Sequence, residues 1–242
     1  KIDLKEGDKI ATLVSLSLTP LRIDKIKEIR PDVDQVDIDG KAILFESGIY
    51  AKIPTDLPEK LALSALDVAG APAQTAKLVK PGDTVLIIGA GGKSGMLCCY
   101  EAMKRAGVTG KVIGLCHSQK SADRLKALGF CHTVFTADAT QPVPVMEKIS
   151  ELTGGQMCDV TINNVNIPDT EMTSILCTKN DGVVYFFSMA TSFTKAALGA
   201  EGVGSDVTMI VGNGYTKGHA EITLQELREN EALRKIFTDL YA

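Results

Sequence analysis

The 242 residues carry 30 acidic against 26 basic side chains, a formal net charge of −4, so no broad positive field exists to draw in nucleic acid or an anionic bilayer. With 45% hydrophobic and 23% charged residues, the composition is that of an ordinary globule long enough for a large core or two domains. No apolar run reaches the ~20 residues of a membrane-spanning helix and no signal peptide heads the chain, so the expected compartment is cytoplasmic, with no membrane partner.

Residues 1–58 read as strands joined by turns. KIATLVSLSL is a β-rich run after Glu6-Gly7-Asp8, LRIDKIKEI alternates in part, and QVDID and KAILFE flank Asp39-Gly40, a hairpin signal. These strands are too few to close a barrel, and open sheet edges are an aggregation hazard, so a preceding segment is expected before Lys1. From Leu57 to Val79 apolar residues recur at helical spacing, with Gly70 and Pro72 breaking the middle into two helices.

The stretch Thr84–Gly95, TVLIIGAGGKSG, is the most informative in the chain. Val85, Leu86, Ile87 and Ile88 form a consecutive apolar run, as in a strand buried on both faces of a parallel sheet, launched by the turn Pro81-Gly82-Asp83. Gly89, Gly91, Gly92 and Gly95 then allow a sharp turn into a helix that begins near Lys93 and Ser94. The amide-rich start of that helix suits an anion such as a dinucleotide pyrophosphate. The spacing is G-x-x-G-x-x-G on Gly89, Gly92 and Gly95 rather than G-x-G-x-x-G. A tight strand-to-helix turn that binds nothing would look similar.

Strands and helices then alternate: KVIGLCHS, SADRLKALG, TVFTA, PVMEKISELTG, CDVTINNV, a helix PDTEMTSILCTKN ending at Asn180-Asp181-Gly182, GVVYFFSM and DVTMIVGNGY. This calls for an α/β fold, a doubly wound parallel sheet with ligand at the carboxyl ends of its strands. After the second strand, where a carboxylate would hold the ribose hydroxyls, stand His117, Ser118 and Lys120, with Arg124 one turn on. They favour a 2′-phosphate, hence NADP or dual use with NAD, although Lys120 and Arg124 also read as a solvated helix face. Asn163, Asn164 and Val165, Ser188 and Met189, and Gly212 and Asn213 follow later strands and are candidates for the nicotinamide end, or plain turns.

The last segment, ITLQELRENEALRKIFTDLYA, places Leu224, Leu227, Leu233, Ile236, Phe237 and Leu240 close to one helical face, which must pack on something. The expected domains are a partial β-rich substrate domain at 1–64, a dinucleotide-binding domain at 65–215 and a C-terminal helix at 216–242 that returns to the first. The six cysteines show no C-x-x-C and no metal-ligand spacing, so buried reduced thiols and no metal are expected.

The β-rich start followed by EKLALSALDVAG, KPGDTVLIIGAGG, ELTGGQMCDVTINNV and DGVVYFF resembles the medium-chain dehydrogenase/reductase superfamily across nearly all of the chain. LDVAGAPAQT, GAGGKSG, FFSMATSFTKAALGAEGVGSD and GNGYTKGHAE are similar to a narrower branch that deaminates a diamino acid oxidatively. The resemblance implies a Rossmann domain beside a partial GroES-like one, a longer N-terminal part, and hydride transfer from an amine-bearing carbon to NAD or NADP with release of ammonia. A small-molecule substrate and a second copy in a homo-oligomer, a dimer, are the expected partners. The zinc-binding lobe of the superfamily's alcohol dehydrogenases has no counterpart in these residues.

Deamination needs a base or a desolvated pocket near the amine. Asp67, a carboxylate in an otherwise apolar helical stretch, is the candidate catalytic residue; as a helix cap or inter-domain ion pair it would look the same. Lys93 could meet the pyrophosphate, the substrate carboxylate, or only solvent. A zinc-independent reductase of quinones or enones shares the glycine spacing, and a protein that only binds a dinucleotide would share the sheet.

Overall fold

The computed structural model describes residues 3–212 and 215–242. In chain order the first elements are β1 (Ile10–Thr12), β2 (Leu21–Arg30), β3 (Gln35–Ala42), β4 (Tyr50–Lys52), α1 (Glu59–Leu66) and α2 (Gly70–Leu78). There follow β5 (Thr84–Ile88), α3 (Lys93–Ala106), β6 (Lys111–Cys116), α4 (Gln119–Leu128), β7 (Thr133–Thr136), α5 (Pro142–Thr153) and β8 (Cys158–Asn163). The last are α6 (Glu171–Leu176), β9 (Thr178–Phe186), α7 (Phe193–Val203), β10 (Thr208–Val211), α8 (His219–Glu229) and α9 (Glu231–Tyr241). The chain forms two compact units, Lys1–Asp67 with Leu227–Ala242, and Val68–Glu226.

In the first unit β1 pairs antiparallel with β4, and β2 with β3. The run from Lys9 to Leu18 is a strand only at Ile10–Thr12; a 3-10 turn at Leu16–Leu18 replaces the rest. Local bonds compete with the ladder there: the Val14 amide donates to Thr12 Oγ1 at 3.3 Å and Thr19 Oγ1 to the Ser15 carbonyl at 3.1 Å.

The hairpin turns elsewhere than at Asp39-Gly40. The reversal is Pro31–Val33 with Asp34 in the left-handed region at φ 54, and β3 runs straight through Gly40. Gly40 is needed for close approach, since a β-carbon on it would stand 2.4 Å from the Arg22 carbonyl oxygen, beside a bulge between Ile23 and Lys25.

The C-terminal segment is two helices, not one. Asn230 interrupts it and caps α9, its side chain accepting from the Leu233 amide at 2.8 Å. Leu233 and Phe237 are buried on α9, which packs against α1, and Arg228 makes a bidentate pair with Asp56 at 2.7 and 3.0 Å.

The second unit is a six-stranded, all-parallel sheet in the order β10-β9-β8-β5-β6-β7. Val85, Leu86, Ile87 and Ile88 are wholly buried, as a central strand covered on both faces must be. The first strand, β5, has β6 on one side and β8 on the other, so the strand order reverses at its carboxyl end, where doubly wound sheets open their crevice. Helix α6 is shorter than the 13-residue stretch suggests: the chain enters β9 at Thr178, and Asn180-Asp181-Gly182 is an irregularity within that strand, with Asp181 at φ 61 and a register shift against Cys158 and Val160. Ladder pairing to β8 overrides the turn propensity of Asn-Asp-Gly.

Among the described residues no helix is long and apolar enough to cross a membrane. All six cysteines are free thiols; burial pushes Cys98 and Cys177 up to about 12, where they stay protonated.

Candidate functional site

The glycine turn is tied down on every side but one. Gly89, at φ +80, would with a β-carbon meet Val165 Cγ2 at 2.9 Å. The amides of Gly89 and Ala90 both donate to the Leu115 carbonyl, each at 3.0 Å, fastening the turn to the end of β6. A β-carbon on Gly91 would lie 2.7 Å from that of Ser121, and one on Gly95 only 2.1 Å from the Gly89 carbonyl oxygen. These three glycines are demanded by packing.

Gly92 differs from them. It is exposed, and an added β-carbon would find only the Gly89 carbonyl oxygen, at 3.4 Å. Gly92 is the N-cap of α3, and no side chain caps that helix, so its first turn presents the amide-rich, positive dipole end common to helix starts. A bare-backbone cradle with amide donors and no acidic first turn fits a pyrophosphate. Ser94 is buried beneath the turn and Lys93 half-buried at its edge.

At the end of β6, His117, Ser118 and Lys120 are exposed. Ser118 is committed to α4 as its N-cap: its Oγ accepts from the Ser121 amide at 3.3 Å, in a capping box with Ser121. Arg124 is half-buried, and its guanidinium donates to the Gly91 carbonyl at 2.5 Å, while its Nε is buried with no hydrogen-bond partner. Arg124 therefore lies against the glycine turn rather than on a solvated helix face.

On the other flank, Asn163 is wholly buried and its side chain is spent internally. It donates to Thr170 Oγ1 at 2.8 Å and Ser174 Oγ at 2.9 Å and accepts from the Val165 amide at 3.0 Å. Those bonds give the side chain a structural task, holding Val165 over Gly89. Asn164 is anchored through its amide to the Ile88 carbonyl at 3.0 Å, takes a weak bond from Cys98 Sγ at 3.8 Å, and keeps a buried Nδ2 with no hydrogen-bond partner.

Ser188 Oγ accepts from the Ala190 amide at 3.0 Å and donates to Asn166 Oδ1 at 3.3 Å, and the Met189 side chain is exposed. The Gly212 amide donates to the Phe186 carbonyl at 3.2 Å, and Asn213 lies outside the described residues.

Asp67 is not a buried carboxylate. It is exposed at the C-cap of α1, where the chain leaves the helix, so the desolvation argument for a catalytic role does not apply to it. Two participants escape the sequence reading. Ser121 was visible as the third residue after Ser118 in a capping pattern, whereas Cys98 carries no signal, being one apolar-facing residue of α3. Its thiol touches Asn164 and is acted on by Thr75 and Glu226, a buried polar group of residues behind the turn.

Residues 1–54 match a family model described as the L-erythro-3,5-diaminohexanoate dehydrogenase N-terminal domain, and residues 95–203 one described as zinc-binding dehydrogenase. Zinc does not fit the residues present: among the described residues no three His, Cys, Asp or Glu side chains come together to hold a metal ion. An alcohol dehydrogenase from Thermotoga maritima superposes with a TM-score of 0.61 at 18% identity over 81% of this chain and 55% of that one. A mycobacterial protein solved with NADPH gives 0.58 at 20% over 79% and 64%. The chain thus spans less than two thirds of either, and the likeness is one of fold.

Two curated relatives are much nearer. Proteins named L-erythro-3,5-diaminohexanoate dehydrogenase are 67% identical in Acetoanaerobium sticklandii and 62% identical in Fusobacterium nucleatum, each over 241 residues, all of this chain and 70% of the relative. The chain belongs to the L-erythro-3,5-diaminohexanoate dehydrogenase family.

Proposed function

We propose that the chain carries the dinucleotide-binding part of an oxidoreductase that deaminates L-erythro-3,5-diaminohexanoate oxidatively, a step of lysine breakdown. The observation that carries this reading is the 67% identity to a protein of that name over 241 residues. The glycine turn at the carboxyl end of β5 supports it, because Gly92 leaves bare backbone where a pyrophosphate must approach.

In this reading the substrate's 3-amino carbon loses a hydride and its nitrogen a proton, and water hydrolyses the resulting imine to 5-amino-3-oxohexanoate and ammonium. NAD+ or NADP+, when bound, supplies the hydride acceptor. The amides at the start of α3, with Lys93 and Ser94 beside them, hold the pyrophosphate. Lys120 and the outer nitrogens of Arg124 face the adenosine end, and with no carboxylate among Cys116–Lys120 they favour a 2′-phosphate, so NADP is preferred. Asn164 and Val165, with Ser188, Met189 and Gly212, border the nicotinamide end, Val165 acting as an apolar wall over Gly89. The enzyme works in the cytoplasm, where six free thiols persist.

The test is to supply the diamine with NAD+ or NADP+ and follow reduced nicotinamide and ammonia together. One ammonia per hydride supports the reading. Reduction of quinones or enones with no deamination would replace it by the reductase alternative.

A further inference from the structure

Glu171 is a buried carboxylate with no part in the site described above. It is the first residue of α6 and 3% exposed, and its Oε1 accepts from a main-chain donor, the Ser192 amide, at 2.6 Å. Glu101, equally buried on α3, is held differently, paired with Arg105 at 2.7 Å and Lys104 at 3.2 Å. A carboxylate taken out of water is costly unless it is bonded, and a bond from an amide to a charged acceptor is short and strong. Lys195, paired with Asp169 at the surface, adds a cation whose field reaches Glu171. The first turn of a helix suits a negative charge as well.

Ser192 is where the segment after β9 ends. At its start the Phe187 amide donates to the Asn163 carbonyl at 3.0 Å, continuing the β8–β9 pairing, and Ser188 Oγ donates to Asn166 Oδ1 at 3.3 Å. Between the ends the chain turns back on itself: the Ala190 amide donates to Ser188 Oγ at 3.0 Å and the Thr191 amide to the Ser188 carbonyl at 3.3 Å. Ser192 then caps α7, its Oγ accepting from the Lys195 amide at 3.3 Å. The Ser188–Asn166 bond is neutral and exposed, whereas the Ser192–Glu171 bond is charge-assisted and shielded, so the second is the stronger tie on this segment.

The residue before Glu171 serves the other flank. Thr170 Oγ1 accepts from Asn163 Nδ2 at 2.8 Å, and Asn163 Oδ1 accepts from the amide of Val165, the residue that stands over Gly89. Two successive residues at the start of α6 thus hold the wall over the glycine turn and the segment after β9, all within the second unit. We propose that Glu171 is a positioning residue of the dinucleotide site, fixing Ser188–Ser192 in the arrangement that meets the nicotinamide end. The proposal rests on the reading above that Ser188 and Met189 border that end. Glu171 acts through Ser192, as a supporting residue that locks the groups lining a site.

Calorimetric titration with two ligands tests this: NADP+, and 2′-phospho-ADP-ribose, which keeps the phosphates and the adenosine but lacks the nicotinamide. Glu171→Ala is expected to weaken NADP+ at least fivefold and to leave the fragment within twofold of the parent, which also shows that the variant is folded. Glu171→Gln keeps an accepting oxygen and should bring NADP+ back to within twofold. Hydrogen exchange of the Ser192 amide should quicken in Glu171→Ala and not in Glu171→Gln. Unchanged NADP+ binding by Glu171→Ala, an equal loss of NADP+ and fragment, or no recovery in Glu171→Gln overturns the proposal. A parent chain that binds NADP+ no tighter than the fragment overturns this inference alone; one that binds neither NADP+ nor NAD+ overturns the dehydrogenase reading and this inference with it.

Discussion

A β-carbon on Gly95 would stand 2.1 Å from the carbonyl oxygen of Gly89, so the first turn of α3 rests directly on the backbone that leaves β5. Neither side can yield, because Gly89 is bonded through its amide to Leu115 and through its carbonyl to the Gly92 amide at 3.0 Å. Gly95→Ala is expected to destabilise the second unit by about 3 kcal/mol or more, the upper range for overpacking. Urea unfolding followed by circular dichroism measures it.

Gly92→Val makes the opposite prediction. The site has room for a side chain, and Gly92 is an N-cap with φ −83, so the stability cost is about 1 kcal/mol or less. Dinucleotide affinity is expected to fall at least tenfold, as the valine occupies the opening in front of the helix amides. Titration by isothermal calorimetry checks this, and equal binding by variant and parent would refute the assignment of the turn.

Lys120 and Arg124 separate by structure. Lys120 is exposed, so Lys120→Ala should lower NADP+ affinity and leave NAD+ unchanged. Arg124 also props the Gly91 carbonyl, so Arg124→Ala should weaken both dinucleotides, and NADP+ more. The ratio of the two dissociation constants in each variant is the readout; a ratio unmoved in both would leave no 2′-phosphate site here.

Asn163→Ala removes a side chain that bonds Thr170, Ser174 and the Val165 amide from a wholly buried position. Leaving those partners unsatisfied is expected to cost about 1–3 kcal/mol. Because the lost bonds also hold Val165, hydrogen exchange of the Val165 amide should accelerate more than that of β5.

His219 is held below the ordinary histidine range by burial, partly opposed by Glu221. A base whose folded pKa is depressed binds protons more readily unfolded, so its contribution is present above the ordinary value of 6.5 and is lost as pH falls through it. Stability of the parent should decline below that pH, and His219→Gln should flatten the decline. Thermal unfolding at a series of pH values decides; parallel profiles would show that another group is responsible.

Much of the second unit was readable from residue order alone. Four consecutive buried aliphatics, glycines that must lack a β-carbon and an unbroken alternation of strand and helix leave few arrangements other than a doubly wound parallel sheet with its turn at the first strand. Gly89, Gly91 and Gly95 were legible because their constraint is steric and local. The hairpin reversal at Pro31–Val33, the strand running through Asn180 and Asp181, and the break at Asn230 were not, because turn propensities of a few tenths of a kcal/mol yield to ladder pairing and capping.

The division of labour within the site belongs to the folded state as well. Asn163 and Asn164 are neighbours of one type, yet one is consumed inside the sheet and the other keeps a buried amide nitrogen without a hydrogen-bond partner. Ser118 serves a helix end and Arg124 the turn. Asp67, suspicious as a charge among apolar neighbours, emerges into water. Residue type and spacing settle what a backbone can do, since those limits act over a few bonds. Which side chain is buried, and against what, depends on segments far apart in the chain, and only their packing could decide it.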